Sequence, residues 1–396
     1  MTRALAVCAA VWLCWGCGRE NLDLLETTTR SDPCALLTTE AECRDNARLG
    51  CFFQPNPEGC LSTDPSCSPG ACRSGDPFVR RVDKSFLLSG APFRFVGVSS
   101  WALLLPEPCI QVPDQAAWLA AAFDDLVVSR STVARMFAFQ SSAGPTGEDF
   151  SLFDAAVREA RRAGVRLIFM LEHSKGDCSH AAQSANGTRD AAWYAGGFRQ
   201  VETGYTLSYQ AFVEKLASRY SKEPTVLGYV LMEGTGEADT EAVVGFVNAV
   251  GGLLRDVAGS QLVSLDLSWP INSGNGGAAY RGLQSLPVVD YVDVDDYQPK
   301  DSQVPIDEAL LGILAELDKP AVIGEGAVEL KSDTSEAFVE RAERVRGRLR
   351  EWHDLGFAGG LLWAYQPGWV VVSEEFDARP QDPLLRPGGV LASAPW

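Results

Sequence analysis

From residue 77 onward, short apolar runs of strand length alternate with longer segments whose apolar residues recur at helical spacing. That recurrence restricts the fold more than any other feature of the chain. The strand signals are "FRFVGVSS" (93–100), "TVARMFAF" (132–139), "VRLIFMLE" (165–172), "TVLGYVLM" (225–232), "QLVSLDL" (261–267), "DYVDVDDY" (290–297), "PAVIGEG" (320–326) and "GGLLWAY" (359–365). Helical segments occupy most of the gaps. "DQAAWLAAAFDDLVVS" has Asp114 placed as an N-cap, and "SLFDAAVREARRAG" stops at Gly164. Eight strands, each followed in most cases by a helix, predict an α/β fold, a (β/α)8 TIM barrel over residues 77–396. A doubly wound open sheet is the rival, but neither G-x-G-x-x-G nor the P-loop pattern occurs.

The residues before 77 read differently. "MTRALAVCAAVWLCWGCGREN" has one early arginine, then an apolar stretch ending in Gly16-Cys17, which is the layout of a secretory signal. A small residue directly before cysteine resembles a bacterial lipoprotein box, so residues 1–17 are expected to be a signal peptide with lipidation at Cys17. An ordinary cleaved signal peptide is the alternative, and export is expected in either case. Cys34, Cys43, Cys51, Cys60, Cys67 and Cys72 crowd a stretch rich in Pro, Gly, Ser and Asp. Such a stretch lacks the apolar content for a core, so a small disulfide-rich module is expected over residues 18–76, with its connectivity open. Cys109 and Cys178 remain as a candidate bridge between two barrel loops.

Charge narrows the partners. The formal net charge is −18, which argues against nucleic acid and anionic membrane surfaces and leaves polysaccharides open. Membrane attachment is expected only through the lipid at Cys17. Three histidines (His173, His180 and His353) make a histidine-rich metal site unexpected, and no cofactor motif occurs.

In a barrel of this type, the carboxyl ends of the strands carry the active site. The polar residues there are Arg135 after the second strand, His173 after the third, and Glu233 after the fourth. Asp293, Asp295, Asp296 and Tyr297 follow the sixth strand and Glu325 the seventh, while Trp363 and Tyr365 lie on the eighth. Two carboxylates across a cleft, without a serine nucleophile motif or a metal set, point to glycosidic bond cleavage. Trp101, Trp269, Trp363 and Trp369 are candidate sugar platforms.

Residues 90–368 resemble glycoside hydrolase family 5 and its clan relatives, particularly the mannanase-like branch. The segments that carry the resemblance, in order, are "GVRLIFMLEHSKGD", "YSKEPTVLGYVLM", "VDYVDVDDY", "KPAVIGEGA" and "GFAGGLLWAY". The resemblance implies a retaining endo-β-glycosidase acting on a mannan- or glucan-type polysaccharide. It implies Glu325 as nucleophile, Arg135 as its support, Tyr297 as its hydrogen-bond donor and Trp363 as a sugar platform. His173, Trp269 and Asp295 complete the candidate substrate-binding set.

Two positions depart from the family pattern. Asp295 stands where the family has a histidine two residues before the tyrosine. At the end of the fourth strand, where the family has Asn-Glu, this chain reads "LGYVLMEGTGE". Ungapped, Glu233 falls on the asparagine position and Gly234 on the glutamate position. A shift of one residue turns a side chain to the other face of a strand. Three readings follow: Glu233 as acid/base with the glycines absorbing the change, Glu237 reaching back from the loop, or a lost acid/base. The last would leave a cell-surface carbohydrate-binding protein with a glycosidase-like barrel.

Overall fold

A computed structural model of the chain describes residues 51–53, 72–74, 76–104, 114–174, 176, 189–235, 240–267, 274–298, 306–367, 375–378 and 382–396. The chain divides into two compact units, Met1–Pro77 and Phe78–Trp396. In the first unit, Cys51–Phe53 pairs antiparallel with Cys72–Ser74. The expected leader, most of the cysteine-rich stretch, Cys109, Cys178, Glu237, Trp269 and Trp369 lie outside the described residues.

The second unit is a closed barrel of eight parallel strands. They are β1 (Phe95–Ser100), β2 (Val133–Phe137), β3 (Arg166–Met170), β4 (Val226–Glu233), β5 (Leu262–Asp266), β6 (Tyr291–Gln298), β7 (Ala321–Val328) and β8 (Gly359–Leu362). Each pairs with its neighbours in sequence, and β8 closes on β1 through Gly359–Phe95 and Leu362–Val98. Both faces of every strand are covered, which is why the strands read as continuous apolar runs rather than as alternating ones. Alternate residues serve two cores. Val133, Ile168, Val230, Leu262, Tyr291, Val322 and Leu361 fill the barrel interior. Ala134, Leu167, Val263, Val292, Ile323 and Leu362 pack outward against the helices.

Helices α1 (Gln115–Val128), α2 (Ser151–Ala163), α3 (Ala191–Ala195), α4 (Tyr209–Tyr220), α5 (Thr240–Ala258), α6 (Gly274–Gln284), α7 (Glu308–Glu316) and α8 (Ser335–Asp354) fill the gaps between strands. Asp114 caps α1 by accepting from the Ala117 amide at 2.9 Å. Gly164 ends α2 at φ 70°, a left-handed conformation that costs glycine nothing. Helix α6 was not expected from "GNGGAAYRGLQ", because its glycines hide the helical pattern. Tertiary contacts fix it: Tyr280 Oη donates to the Asp293 carbonyl at 3.1 Å and Gln284 Nε2 to the Leu265 carbonyl at 2.8 Å. The eighth strand is shorter than "GGLLWAY" suggested. Beyond Leu362 the regular ladder ends: Tyr365 N still donates to the Ser99 carbonyl of β1 at 2.9 Å, while the chain also pairs with residues 375–378, where Ala378 N donates to the Ala364 carbonyl at 2.8 Å.

Three short antiparallel strands (Val79–Val82, Ser85–Leu88 and Ala91–Pro92) precede the barrel. They bring Phe86 against Phe95 and Tyr291, with ring centroids 6.3 and 5.7 Å apart, at the N-terminal end of the barrel interior. The opposite end, where the strands finish, is left to polar residues.

Gly97 illustrates how tightly the interior is built. A Cβ there would lie 1.7 Å from the Val133 carbonyl oxygen, which is locked in the ladder. Gly97→Ala is therefore expected to destabilise the barrel by about 1–3 kcal/mol or more. Gly245→Ala, on the exposed face of α5 with open space around it, should stabilise by about 0.5–1 kcal/mol. Urea unfolding of both variants checks the contrast.

Candidate active site

Arg135 is the centre of the site. It faces inward from β2, is 0% exposed, and spends its guanidinium on four partners. Nε donates to Ser99 Oγ at 3.1 Å, and Nη1 donates to Asp266 Oδ2 at 2.9 Å and Asp293 Oδ2 at 3.4 Å. Nη2 donates to Glu325 Oε1. Burial opposes the charge on Arg135, but Glu325, Asp293 and Asp266 outweigh it, so the group stays protonated. Expected as the support of Glu325 and among the candidate substrate-binding residues, Arg135 lies fully buried beneath the carboxylates, where it hydrogen-bonds Glu325 and offsets the charge of all three.

Glu325 is held at both oxygens. Oε1 accepts from Arg135, and Oε2 accepts from Tyr297 Oη at the rim, where Tyr297 is 39% exposed. Phe376 packs edge-on against the Tyr297 ring, centroids 5.5 Å apart. Burial raises the Glu325 carboxyl above its usual range, with Asp266 adding to the rise, while Arg135 and Tyr297 pull it down. Two donors to the ionised form favour a carboxylate here.

Glu233 is held differently. Its Oε1 lies 3.7 Å from His173 Nε2, and its Oε2 is buried without a hydrogen-bond partner. Burial, then Glu325 and Asp266, push this carboxyl well above its ordinary value. With fewer donors and the same negative surroundings, the Glu233 carboxyl is pushed further toward its neutral form than Glu325.

The backbone shows why Glu233 faces the mouth. Between the Ser264–Val230 and Asp266–Glu233 pairings, β4 advances three residues while β5 advances two. The extra residue is a β-bulge, and Leu231 and Met232 both join the core beneath the helices. The bulge resets the alternation, so Glu233 points inward with Val230. Gly234 follows at φ 63°, its amide donating to the Asp266 carbonyl at 2.9 Å. A second bulge precedes Glu325, where β7 advances two residues, from Ile323 to Glu325, against one on β6. Its extra residue is Gly324, at which a Cβ would lie 1.7 Å from Asp293 Oδ1 and 2.7 Å from Arg135 Nη1.

His173 is positioned by a buried network. Its amide donates to Glu172 Oε1 at 2.9 Å, and Glu172 Oε2 accepts from Arg189 Nη2 at 2.7 Å. Arg189 also reaches Glu202 at 2.7 Å and covers the Trp193 ring at 4.8 Å. On the wall formed by β1, β2 and β8, Trp101 packs on Phe137 and Phe139 at 4.7 and 5.3 Å, and Trp363 packs on Phe137 at 5.7 Å. Trp101 and Trp363 remain partly exposed. Asp295 pairs in register with Glu325, and its Oδ1 is buried with no hydrogen-bond partner.

Two strand-end residues do not belong to the mouth. Asp296 accepts from Arg348 Nε at 2.9 Å and Trp352 Nε1 at 2.7 Å on α8, and Tyr365 donates to Asp125 Oδ2 at 2.8 Å on α1. Strand alternation turns Asp296 toward the helices, and Tyr365 lies beyond the end of β8, where its hydroxyl reaches α1. Asp266, Ser99 and Glu172 were not singled out from the sequence. Asp266 and Glu172 carried the same signal as their neighbours, a carboxylate ending an apolar run, whereas Ser99 carried none.

Solved structures with this fold include an endo-β-1,4-mannanase from Thermotoga petrophila, at 16% identity and TM-score 0.55 over 76% of this chain and 75% of that one. A glycoside hydrolase family 5 mannosidase from Rhizomucor miehei matches at 12% identity and TM-score 0.60 over 80% and 96%. The endoglucanase Cel5A from Pseudomonas stutzeri matches at 15% identity and TM-score 0.51 over 76% and 93%. The likeness at these identities is one of fold, a TIM barrel of the kind these glycosidases use. No protein-family model matches the sequence, and no curated protein matches it at a significant level.

Arg135→Met would leave Asp266, Asp293 and Glu325 without their shared counter-charge. It is expected to cost about 3–5 kcal/mol of stability, measured by denaturant unfolding. Asp295 allows a pH test. Burial, then Asp266 and Glu325, raise its carboxyl well above the usual value. The folded protein then binds this proton more tightly than the unfolded chain, so stability falls as pH rises from the ordinary carboxylate range toward the raised value. Asp295→Asn removes that penalty. Its gain in Tm over wild type should be larger at about pH 8 than at about pH 4.

Proposed function

We propose that this protein is a retaining β-glycosidase that cleaves the backbone of a mannan- or glucan-type polysaccharide from within. The observation that supports this most is the contrast between two glutamates on facing strands. Glu325 has donors at both oxygens, as an ionised nucleophile needs, whereas Glu233 is underhydrogen-bonded and keeps its proton. Such a pair divides the labour of retaining hydrolysis. Glu233 gives its proton to the leaving glycosidic oxygen while a Glu325 oxygen attacks the anomeric carbon, forming a glycosyl ester. Glu233, now ionised, takes a proton from water as that water attacks the same carbon, and Glu325 leaves as carboxylate. Tyr297 and Arg135 hold Glu325 in place through both steps. Trp101 and Trp363 offer partly exposed faces on which pyranose rings stack. The solved mannanase and endoglucanase of the same fold favour β-linked hexose polymers as the substrates to try first.

A second reading, a carbohydrate-binding barrel without turnover, draws on Asp295. Its charge beside Glu325 would raise the nucleophile's pKa and weaken it. Export with a lipid at Cys17 is also part of the proposal and rests on the leader's composition; mass spectrometry of the mature N-terminus checks it.

The test is release of reducing ends from mannan, cellulose and xylan, with proton NMR following the anomer first formed. Retention is expected, and no release from any polymer would favour the binding reading. Glu325→Ala should lose activity by several orders of magnitude. Glu233→Gln should lose far more on polysaccharide than on an aryl glycoside whose leaving group needs no proton. The kcat/KM profile should be bell-shaped, rising as Glu325 ionises and falling as Glu233 loses its proton. Because both carboxyls are raised, both limbs should lie above the range of ordinary carboxylates.

A further inference from the structure

The mouth of the barrel gathers more carboxyl groups than cleavage of a neutral sugar requires. Glu233, Asp266, Asp293, Asp295 and Glu325 act on one another there, and among the described residues Arg135 is the guanidinium that offsets them. Its N–H groups are committed to Ser99, Asp266, Asp293 and Glu325. Asp295 receives none of them, and its Oδ1 is buried without a partner. A buried carboxylate oxygen in that state costs free energy until it is protonated or paired with a cation. A neutral hydroxyl would supply one hydrogen bond and no charge. Among the described residues, no three carboxylates converge as a metal ion needs.

A cation carried on a sugar ring fits better. The wall opposite Asp295 is aromatic, with Trp101 and Trp363 partly exposed. A pyranose stacked there would lie between this wall and the acidic strands β4 to β7. The chain's net charge of −18 would also draw a polycation toward the mouth. We infer that the substrate is a polysaccharide bearing protonated amines, a β-linked glucosamine polymer, and that Asp295 is the residue that pairs with the ammonium group. This inference rests on the glycosidase reading above and specifies its substrate class. The ammonium–carboxylate pair is a charge-assisted hydrogen bond, stronger than a neutral one, formed where water is largely excluded. Asp295 thereby becomes a specificity-determining residue, in the place where the resembling family has a histidine that would repel an ammonium when charged.

The experiment compares kcat/KM on fully deacetylated chitosan, mannan and cellulose for wild type, Asp295→Asn and Asp295→His, at a pH where the sugar amine is protonated. In parallel, calorimetry measures binding of glucosamine hexamer and mannohexaose to Glu325→Gln with and without Asp295→Asn. Chitosan should be preferred by wild type at least about tenfold, the size expected of one charge-assisted contact. The preference should fall by a similar factor in Asp295→Asn, further in Asp295→His, and shrink with added salt. Cleavage of mannan or cellulose without preference for chitosan would overturn this inference and leave the glycosidase reading standing. An equal loss on all polymers in Asp295→Asn would overturn it too. If no polymer is cleaved but the hexamer binds in an Asp295-dependent way, the glycosidase reading falls and the amine-binding site stands. Absence of both overturns both.

Discussion

A single guanidinium sealed inside a barrel is the interaction on which the site depends. Arg135 links β1, β2, β5, β6 and β7 through Ser99, Asp266, Asp293 and Glu325. Removing this guanidinium leaves Asp266, Asp293 and Glu325 without a counter-charge in a low-dielectric interior, where the desolvation penalty is several kcal/mol per ion. The polar end of the barrel is thus bound together by charge, as the opposite end is by Phe86, Phe95 and Tyr291. The same guanidinium also pulls down the carboxyl of Glu325, which it shares with Tyr297.

The second constraint is backbone phase. Both candidate catalytic glutamates follow bulges, at Leu231–Met232 on β4 and at Gly324 on β7. Each bulge adds one residue to a strand whose partner adds none, so the next side chain points into the mouth. Gly324 pays for its bulge with the absence of a side chain, since Asp293 and Arg135 occupy the space a Cβ would need. Site and scaffold are therefore not separable here: the distortions that aim the carboxylates are also what let the buried arginine fit.

Much of this was legible in the sequence. The eight strands followed from apolar runs at regular spacing, and the caps at Asp114 and Gly164 from local residue chemistry. Arg135, His173, Glu233, Asp295, Tyr297, Glu325 and Trp363 stand at strand ends in the sequence, and the structure brings these seven to one end of the barrel. Asp296 and Tyr365 met the same criterion and face the helices instead. Sequence position says that a residue ends a strand but not which way it turns. Helix α6 is not legible in the sequence because its glycine-rich stretch is held by Tyr280 and Gln284 reaching to neighbouring strands, contacts with no local signature.

The sequence by itself determined the number and order of strands, the barrel they form, and the residue types available at its mouth. Those properties depend on short-range patterns of polarity, which a linear chain displays. Only the tertiary structure decided what "LGYVLMEGTGE" does. Whether Glu233 faces the mouth or the helices depends on the phase of β4, and that phase is set by pairing with β5, at Ser264 and Asp266. Such pairing joins residues more than thirty positions apart. The upward shift of the Glu233 carboxyl likewise comes from its burial and then from Glu325 and Asp266, an environment that the fold alone assembles.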